Sequence, residues 1–358
     1  MKVGLYSPMP PAPTGVADYS AALLPYLRAH GDVEPNPASC DVALYHIGNN
    51  SLHRESYHQA LGRPSVVVLH DAVLNHFFLG FGDRDLYVSE FEYNYGKWAQ
   101  GLAEDLWNNR ARSGSDPRYF EYPMLKRIAE SARTVIVHNP AAAARVLKHA
   151  PDARVAEIPH FFRARDLPPV ENTKSELLIG AFGHQRETKR LHVVLRAFHR
   201  AVDAGADAKL LVSGQFLSET YERSLGPLLG HPRILRTGYL PEPEFWRWAA
   251  QTDVCANLRY PTAGETSGIA ISFMGIGKVV IFTEGDEIAR FPEDSCLRLQ
   301  AGPGEEATLV DYFLWLDQNR KAAGEIGRRA AKHIAEHHAP ERIAALYWKV
   351  LQANLPAG

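Results

Sequence analysis

A chain of 358 residues is long for one hydrophobic core, so two domains of about 150–180 residues each are expected. Hydrophobic residues at 46% and charged residues at 22% are ordinary for a globular protein, and a formal charge of −2 supplies no basic field for nucleic acid. Cys40, Cys255 and Cys296 stand apart as in a reduced cytoplasmic protein, the opening Met1-Lys2-Val3-Gly4-Leu5-Tyr6-Ser7 is too short an apolar run for a signal peptide, and no stretch reaches the roughly 18 apolar residues of a membrane span.

Short β-branched runs alternate with amphipathic stretches, the pattern of parallel sheets flanked by helices. The first half offers strands over 2–7, 42–46, 65–70 and 134–138, with helices over 18–30, 51–61, 102–111 and 140–150. The aromatic-rich stretch 87–122 reads either as helices packed on the first sheet or as a wall for a sugar acceptor. A weak peripheral membrane contact is a further option, although the basic face of a surface-binding helix is missing. Residues 163–175 are polar and proline-bearing, as in a linker. A second series then places strands at 177–182, 209–214, 234–238, 254–258 and 279–283. Its helices fall at 191–204, 242–251, 268–276, 306–319 and 324–338, with a last amphipathic helix at 340–354. The domains expected are therefore 1–165, a linker at 166–175, 176–338, and a terminal helix within 339–358. Two doubly wound α/β domains put a ligand cleft beyond the carboxyl ends of their strands.

The strongest chemical signal is Pro261-Thr262-Ala263-Gly264-Glu265-Thr266-Ser267-Gly268-Ile269, a turn between an apolar strand and an apolar helix. The N–H groups of Ser267, Gly268 and Ile269 at the start of that helix suit phosphate oxygens. Glu265 repels phosphate and suits the hydroxyls of whatever the phosphate carries. The alternative is an ordinary capped helix with Glu265 in its first turn.

The stretch from Gly264 to Gly277 resembles the donor-site segment of family 4 glycosyltransferases, the glycosyl transferase group 1 proteins of GT-B fold. That pattern has two glutamates separated by seven residues. Glu265 stands at the first, and Phe273 occupies the position of the second, which in the family holds the ribose hydroxyls. Three other segments carry the resemblance. Gly183-His184-Gln185-Arg186-Glu187-Thr188-Lys189 is similar to the family's diphosphate grip, with Lys189 at the lysine, His184 in place of the arginine and Arg186 as its substitute; otherwise it is a solvated charge cluster. Thr237-Gly238-Tyr239-Leu240-Pro241 is similar to the base-binding turn, in which backbone groups at Tyr239 and Leu240 read the base, and is also a common turn. The proline loop holding Gly15 resembles the family's first loop, beneath the donor phosphate.

Val68-Leu69-His70-Asp71 resembles the strand-end histidine near the transferred sugar; the alternative is a core histidine satisfied by Asp71. His46, His76, His138 and His160 also lie at or near strand ends, and no His/Cys spacing suggests a metal.

The resemblance implies a retaining transferase with neither metal nor cofactor, acting on a nucleotide-sugar donor and a glycan, lipid-linked or small-molecule acceptor. Its site set is His70, Glu265 and Lys189 for catalysis. Gly15, His184, Arg186, Tyr239, Leu240, Thr266, Ser267, Gly268 and Ile269 bind the donor, in which UDP is favoured over GDP as the commoner carrier. The rivals are a phosphorylase or epimerase of the same fold, a lapsed nucleotide-sugar-binding protein, and a periplasmic sugar-binding protein.

Overall fold

A computed structural model describes residues 1–165, 167 and 176–355, so most of the expected linker at 166–175 lies outside the described residues. The chain forms two compact units. The first comprises Met1–Phe161, Thr262–Thr266 and the segment from His338 on; the second comprises Phe162–Pro261 and Ser267–His337.

The first unit is built on β1 (Lys2–Tyr6), β2 (Asp32–Pro35), β3 (Val42–Ile47), β4 (Val66–Leu69), β5 (Thr134–Val137) and β6 (Val155–Glu157). Its helices are α1 (Gly15–Arg28), α2 (Arg54–Gly62), α3 (Asn75–Leu79), α4 (Arg84–Tyr95), α5 (Gln100–Asn108), α6 (Arg118–Glu121), α7 (Lys126–Ser131) and α8 (Pro140–His149). The six strands are all parallel in the order β2-β1-β3-β4-β5-β6. Strands covered on both faces read as unbroken apolar runs, and Val66-Val67-Val68-Leu69 is buried throughout. Short polar side chains start the helices: Thr14 accepts from Val16 N–H, Asp83 from Leu86 N–H, and Asn139, with Pro140 behind it, from Ala142 N–H.

Most of the aromatic stretch is packing. Tyr87, Phe91, Trp107 and Tyr119 lie in the first unit's core, whereas Tyr93 is 39% and Trp98 79% exposed.

The second unit holds β7 (Leu177–Phe182), β8 (Ala208–Ser213), β9 (Ile234–Gly238), β10 (Val254–Asn257), β11 (Val279–Thr283) and β12 (Leu297–Leu299). Helices α9 (Leu191–Asp203), α10 (Glu219–Leu229), α11 (Glu242–Gln251), α12 (Gly268–Gly275), α13 (Glu305–Gln318) and α14 (Arg320–His337) flank them. This sheet is also fully parallel, in the order β12-β11-β10-β7-β8-β9. The order reverses between β7 and β10, so the loops leaving those two strands diverge to opposite faces and leave a crevice at their carboxyl ends.

Helix α15 (Pro340–Ala353) belongs to the first unit. It buries Ile343, Ala344, Tyr347 and Leu351 in a core shared with α1 and β1. Its C-cap Asn354 exchanges hydrogen bonds with the Thr134 hydroxyl. Among the described residues, no helix is long and apolar enough to cross a membrane.

Candidate functional site

At the crevice of the second sheet, β7 ends on Phe182 and turns at Gly183, whose φ is +84°. A Cβ on Gly183 would sit 2.6 Å from Lys189 Nζ and 2.5 Å from Ile269 Cδ1. The positive φ is what favours glycine here; the two side-chain ends are flexible, and their closeness places a cation on one side of the turn and the start of α12 on the other. Neighbouring loops press on the same turn: a Cβ on Gly214 would meet the Gly183 carbonyl at 2.2 Å. Buried Gln185 donates to the carbonyls of Gly183 (2.9 Å) and Ser213 (3.1 Å).

The chain then makes a short turn, Glu187–Lys189, that brings the Lys189 ammonium back to donate to the Phe182 carbonyl at 2.8 Å. His184 has its pKa lowered by desolvation, and then by the positive charges of Lys189 and Arg186. At neutral pH it is an uncharged hydrogen-bonding group beside two cations.

The other wall comes from β10. Buried Asn257 ends the strand and pairs with the Ser267 hydroxyl at 2.9 Å. That hydroxyl caps α12 by accepting from Ala270 N–H (3.2 Å), and it also accepts from Arg259 Nη2 (3.0 Å). The first-turn N–H groups of Gly268 and Ile269 precede any i−4 carbonyl of the helix, so they and the helix dipole face the corner. Tyr260 N–H donates to the Thr188 carbonyl at 2.8 Å, tying the β10 loop to the turn that carries Lys189. Burial pushes the Cys255 thiol up to about 12, and the charges of Lys189 and Arg259 pull it partly back, so both cations act on the same stretch of β10.

This corner thus gathers Lys189, His184, Arg186, Ser267, Gly268 and Ile269. Tyr239 and Leu240 follow β9, two strands from β7; Tyr239 is 67% exposed, and Gly238, at φ +64°, accepts from Gly214 N–H. Phe273 is fully buried and packs its ring on Phe182, 4.8 Å between centroids. An apolar side chain thus fills the place at which the resemblance puts a ribose-binding carboxylate.

The remaining site residues lie in the first unit. Residues 262–266 are fastened there: Ala72 N–H donates to the Ala263 carbonyl (2.8 Å), and Asn139 Nδ2 donates to the Gly264 carbonyl (2.9 Å) and the Thr266 hydroxyl (3.0 Å). Gly264 has φ +75°, and a Cβ there would lie 3.0 Å from Ala72 Cβ. Glu265 Oε2 accepts from Ala263 N–H at 2.9 Å and from the Thr262 hydroxyl at 3.4 Å, which ties that oxygen to its own turn. Gly15 is the first residue of α1, and a Cβ there would meet nothing within 4 Å. Its own chain does not demand glycine.

His70 sits inside a row of imidazoles. His138 Nδ1 lies 2.8 Å from the Ile158 carbonyl, which can only accept, so Nδ1 carries the proton and Nε2 is an acceptor. His70 Nδ1–H therefore donates to His138 Nε2 (3.3 Å), and His46 Nδ1–H donates to His70 Nε2 (2.9 Å). The row ends at His46 Nε2, a buried acceptor with no hydrogen-bond partner among the described residues.

Tyr19 lies against His46, His70, His138 and His160. Burial lowers all four: His46 and His160 to about 3, His138 to about 4, and His70 well below its ordinary value. Each is neutral at physiological pH. The partner expected for His70, Asp71, instead accepts from Asn49 N–H at 2.9 Å. Both ring nitrogens of His70 are engaged within the row, leaving neither for a substrate hydroxyl.

Asn139, Asn257 and Arg259 escaped the sequence reading. A polar residue closing an apolar strand (Val254-Cys255-Ala256-Asn257) and an asparagine before a proline (Asn139-Pro140) were the available signals.

No family model and no curated protein matches the sequence. Solved structures do match in fold. HepE of Anabaena, solved with UDP and glucose, superposes with a TM-score of 0.67 at 13% identity, over 99% of this chain and 100% of that one. Sucrose-phosphate synthase of Thermosynechococcus elongatus gives 0.67 at 14% identity, over 98% of each chain. Against a TarM variant of S. aureus, solved with fondaparinux, α-GlcNAc-glycerol and UDP, the TM-score is 0.53 at 16% identity. There 65% of this chain is covered, and it spans only 46% of TarM. The fold is GT-B.

Proposed function

We propose that this chain is a retaining, metal-independent glycosyltransferase that moves a sugar, a hexose in the simplest case, from a UDP-sugar to an acceptor hydroxyl. The observation that carries the reading is the convergence of Lys189, Gly183 and the start of α12 at the reversal point of the second sheet. A cation, a glycine that lets the backbone approach, and first-turn amides with no hydrogen-bond partner among the described residues suit a diphosphate. HepE and TarM, of like fold, were solved with UDP, which favours that nucleotide.

On this reading the bond between the sugar's anomeric carbon and the diphosphate oxygen breaks, and its electron pair leaves with the diphosphate. Lys189 and the amides of Ser267, Gly268 and Ile269 stabilise the charge that develops there. The acceptor oxygen bonds to the anomeric carbon on the face just vacated and passes its proton to the departing phosphate oxygen. Thr266 and Glu265, immediately before Ser267 in the chain, supply the contact to the sugar hydroxyls, and Tyr239 with Leu240 the contact to the base. His184 donates or accepts a hydrogen bond as a neutral ring, with Arg186 adding charge. His70 shapes its surroundings through the imidazole row and does not bond the sugar through a ring nitrogen. The acceptor is a glycan, lipid-linked or small-molecule hydroxyl, and the setting is cytoplasmic.

The test is UDP-sugar turnover together with thermal stabilisation by a nucleotide panel, in which a ligand at 100 times its Kd adds about 2.7 kcal/mol. No stabilisation by any nucleoside diphosphate would remove the reading. Phe273 favours a second one, a phosphorylase, because a sugar phosphate has no ribose to hold. Phosphate-dependent sugar release without nucleotide would establish it instead.

A further inference from the structure

Arg190 directly follows Lys189 and adopts a left-handed backbone, φ +54° and ψ 33°, which a branched-at-Cβ or long side chain rarely takes. It is one of three non-glycine residues among those described with positive φ. Strain of this kind persists where surrounding structure over-determines it, and it often marks a functional position. Here the determinant is visible. Arg190 Nε lies 2.7 Å from both carboxylate oxygens of Glu305, and its Nη2 also bonds Oε2. Glu305 is 1% exposed at the first position of α13, so its charge is withdrawn from water and answered by this guanidinium.

The pair sits where two helices begin. Arg190 precedes α9, and its carbonyl accepts from Val193 N–H at 2.9 Å; its own N–H donates to the Glu187 carbonyl at 2.9 Å and closes the turn. Farther along, Arg196 and Arg200 both pair with Glu306, but those guanidiniums are 46% and 57% exposed and add little. The buried pair is therefore the fixed point between α9 and α13, one residue from the proposed diphosphate lysine.

We propose that the Arg190–Glu305 ion pair is the positioning device for Lys189: it holds the left-handed turn that sends the ammonium back to the Phe182 carbonyl. Glycine could adopt that turn unaided but would leave it free to open. Arginine adopts it only under restraint, and the restraint fixes where the lysine lies. The proposal rests on the reading of Lys189 as the diphosphate cation.

Calorimetry of UDP and of uridine against the full chain tests it, in wild type, Glu305→Gln, Lys189→Ala and the double variant. Glu305→Gln is expected to weaken UDP roughly tenfold, within the coupling found for contacting groups, and to leave uridine unchanged. In the Lys189→Ala background the same exchange should add nothing. Equal loss in both backgrounds, or equal loss for uridine, overturns the proposal while leaving the donor reading intact. UDP binding indifferent to Lys189→Ala sinks the donor reading and the proposal together. If Glu305→Gln does not fold, Arg190→Gly with Glu305→Gln removes the buried charge and the strain at once. That variant should show the same selective loss of UDP, and UDP binding at the wild-type level would overturn the proposal.

Discussion

The two sheets are built alike, six parallel strands each, and both gather polar side chains at their carboxyl ends, yet they do so with opposite electrostatics. The second unit collects cations, Lys189, Arg186 and Arg259, around a helix start. The first collects imidazoles that burial keeps neutral, linked so that each donates to the next. A cationic corner next to solvent is matched to an incoming anion. A desolvated row whose inner nitrogens bond one another, with only the buried His46 Nε2 left over among the described residues, holds no charge for a ligand and serves shape. Polar residues at strand ends thus carry no single meaning; what decides is whether their donors and acceptors are already spent.

The sharpest way to break this contrast is Lys189→Ala. Removing a preorganised charge from a developing anion is expected to lower sugar transfer about 10²–10³-fold, measured as kcat/KM, with the thermal midpoint little changed. A loss of threefold or less would place the anion elsewhere.

Acid probes the other sheet. Each buried imidazole binds its proton less well folded than unfolded, where the ordinary value is near 6.5, so between those two values the unfolded chain holds more protons. Stability is therefore complete above about pH 6.5 and lost as pH falls toward 4 and then 3, the values of His138 and of His46 and His160. A single such group is worth on the order of 2 kcal/mol at pH 5. Urea melts at pH 7 and pH 5 read it, and exchange of His46 and His138 for glutamine should flatten the difference. A pH-independent midpoint in wild type contradicts the neutral row.

Gly183→Ala ranks next. The new methyl meets Lys189 and Ile269 in a backbone region hostile to it, so about 1–3 kcal/mol of stability and part of the UDP affinity should go together. Retained affinity would mean that the turn does not approach the ligand. The smallest effect belongs to Tyr239→Ala. The ring is mostly exposed, so stability should move by less than about 0.5 kcal/mol, and UDP binding only a few-fold if backbone groups read the base.

Much of this was legible beforehand. Apolar runs of four to six residues placed the inner strands, and the Ser/Gly turn at Ser267 marked a helix start, because those signals are local. The edge strands β2, β6 and β12 were not found: Asp32–Pro35 carries a proline and alternating exposure, and the other two have three residues each. Helix α10 went unread because Gly226 and Pro227 interrupt its pattern. His70 illustrates the deeper limit. Its alternative partner was sought one residue away in Asp71, while the actual ones lie 24 and 68 residues off. Nor does any local pattern reveal that 262–266 is bonded to Ala72 and Asn139, since only the folded chain brings them together.

Helix α15 has a consequence for how the chain is made. The first unit draws core side chains from both ends of the sequence, from Val3 and Leu5 to Tyr347 and Leu351. During synthesis its core therefore stays incomplete until residue 351 has emerged, whereas the core of the second unit is complete once Ile334 has. Of the two units, the one begun earlier closes later, and nascent chains halted before Pro340 should expose the apolar groove that α15 fills.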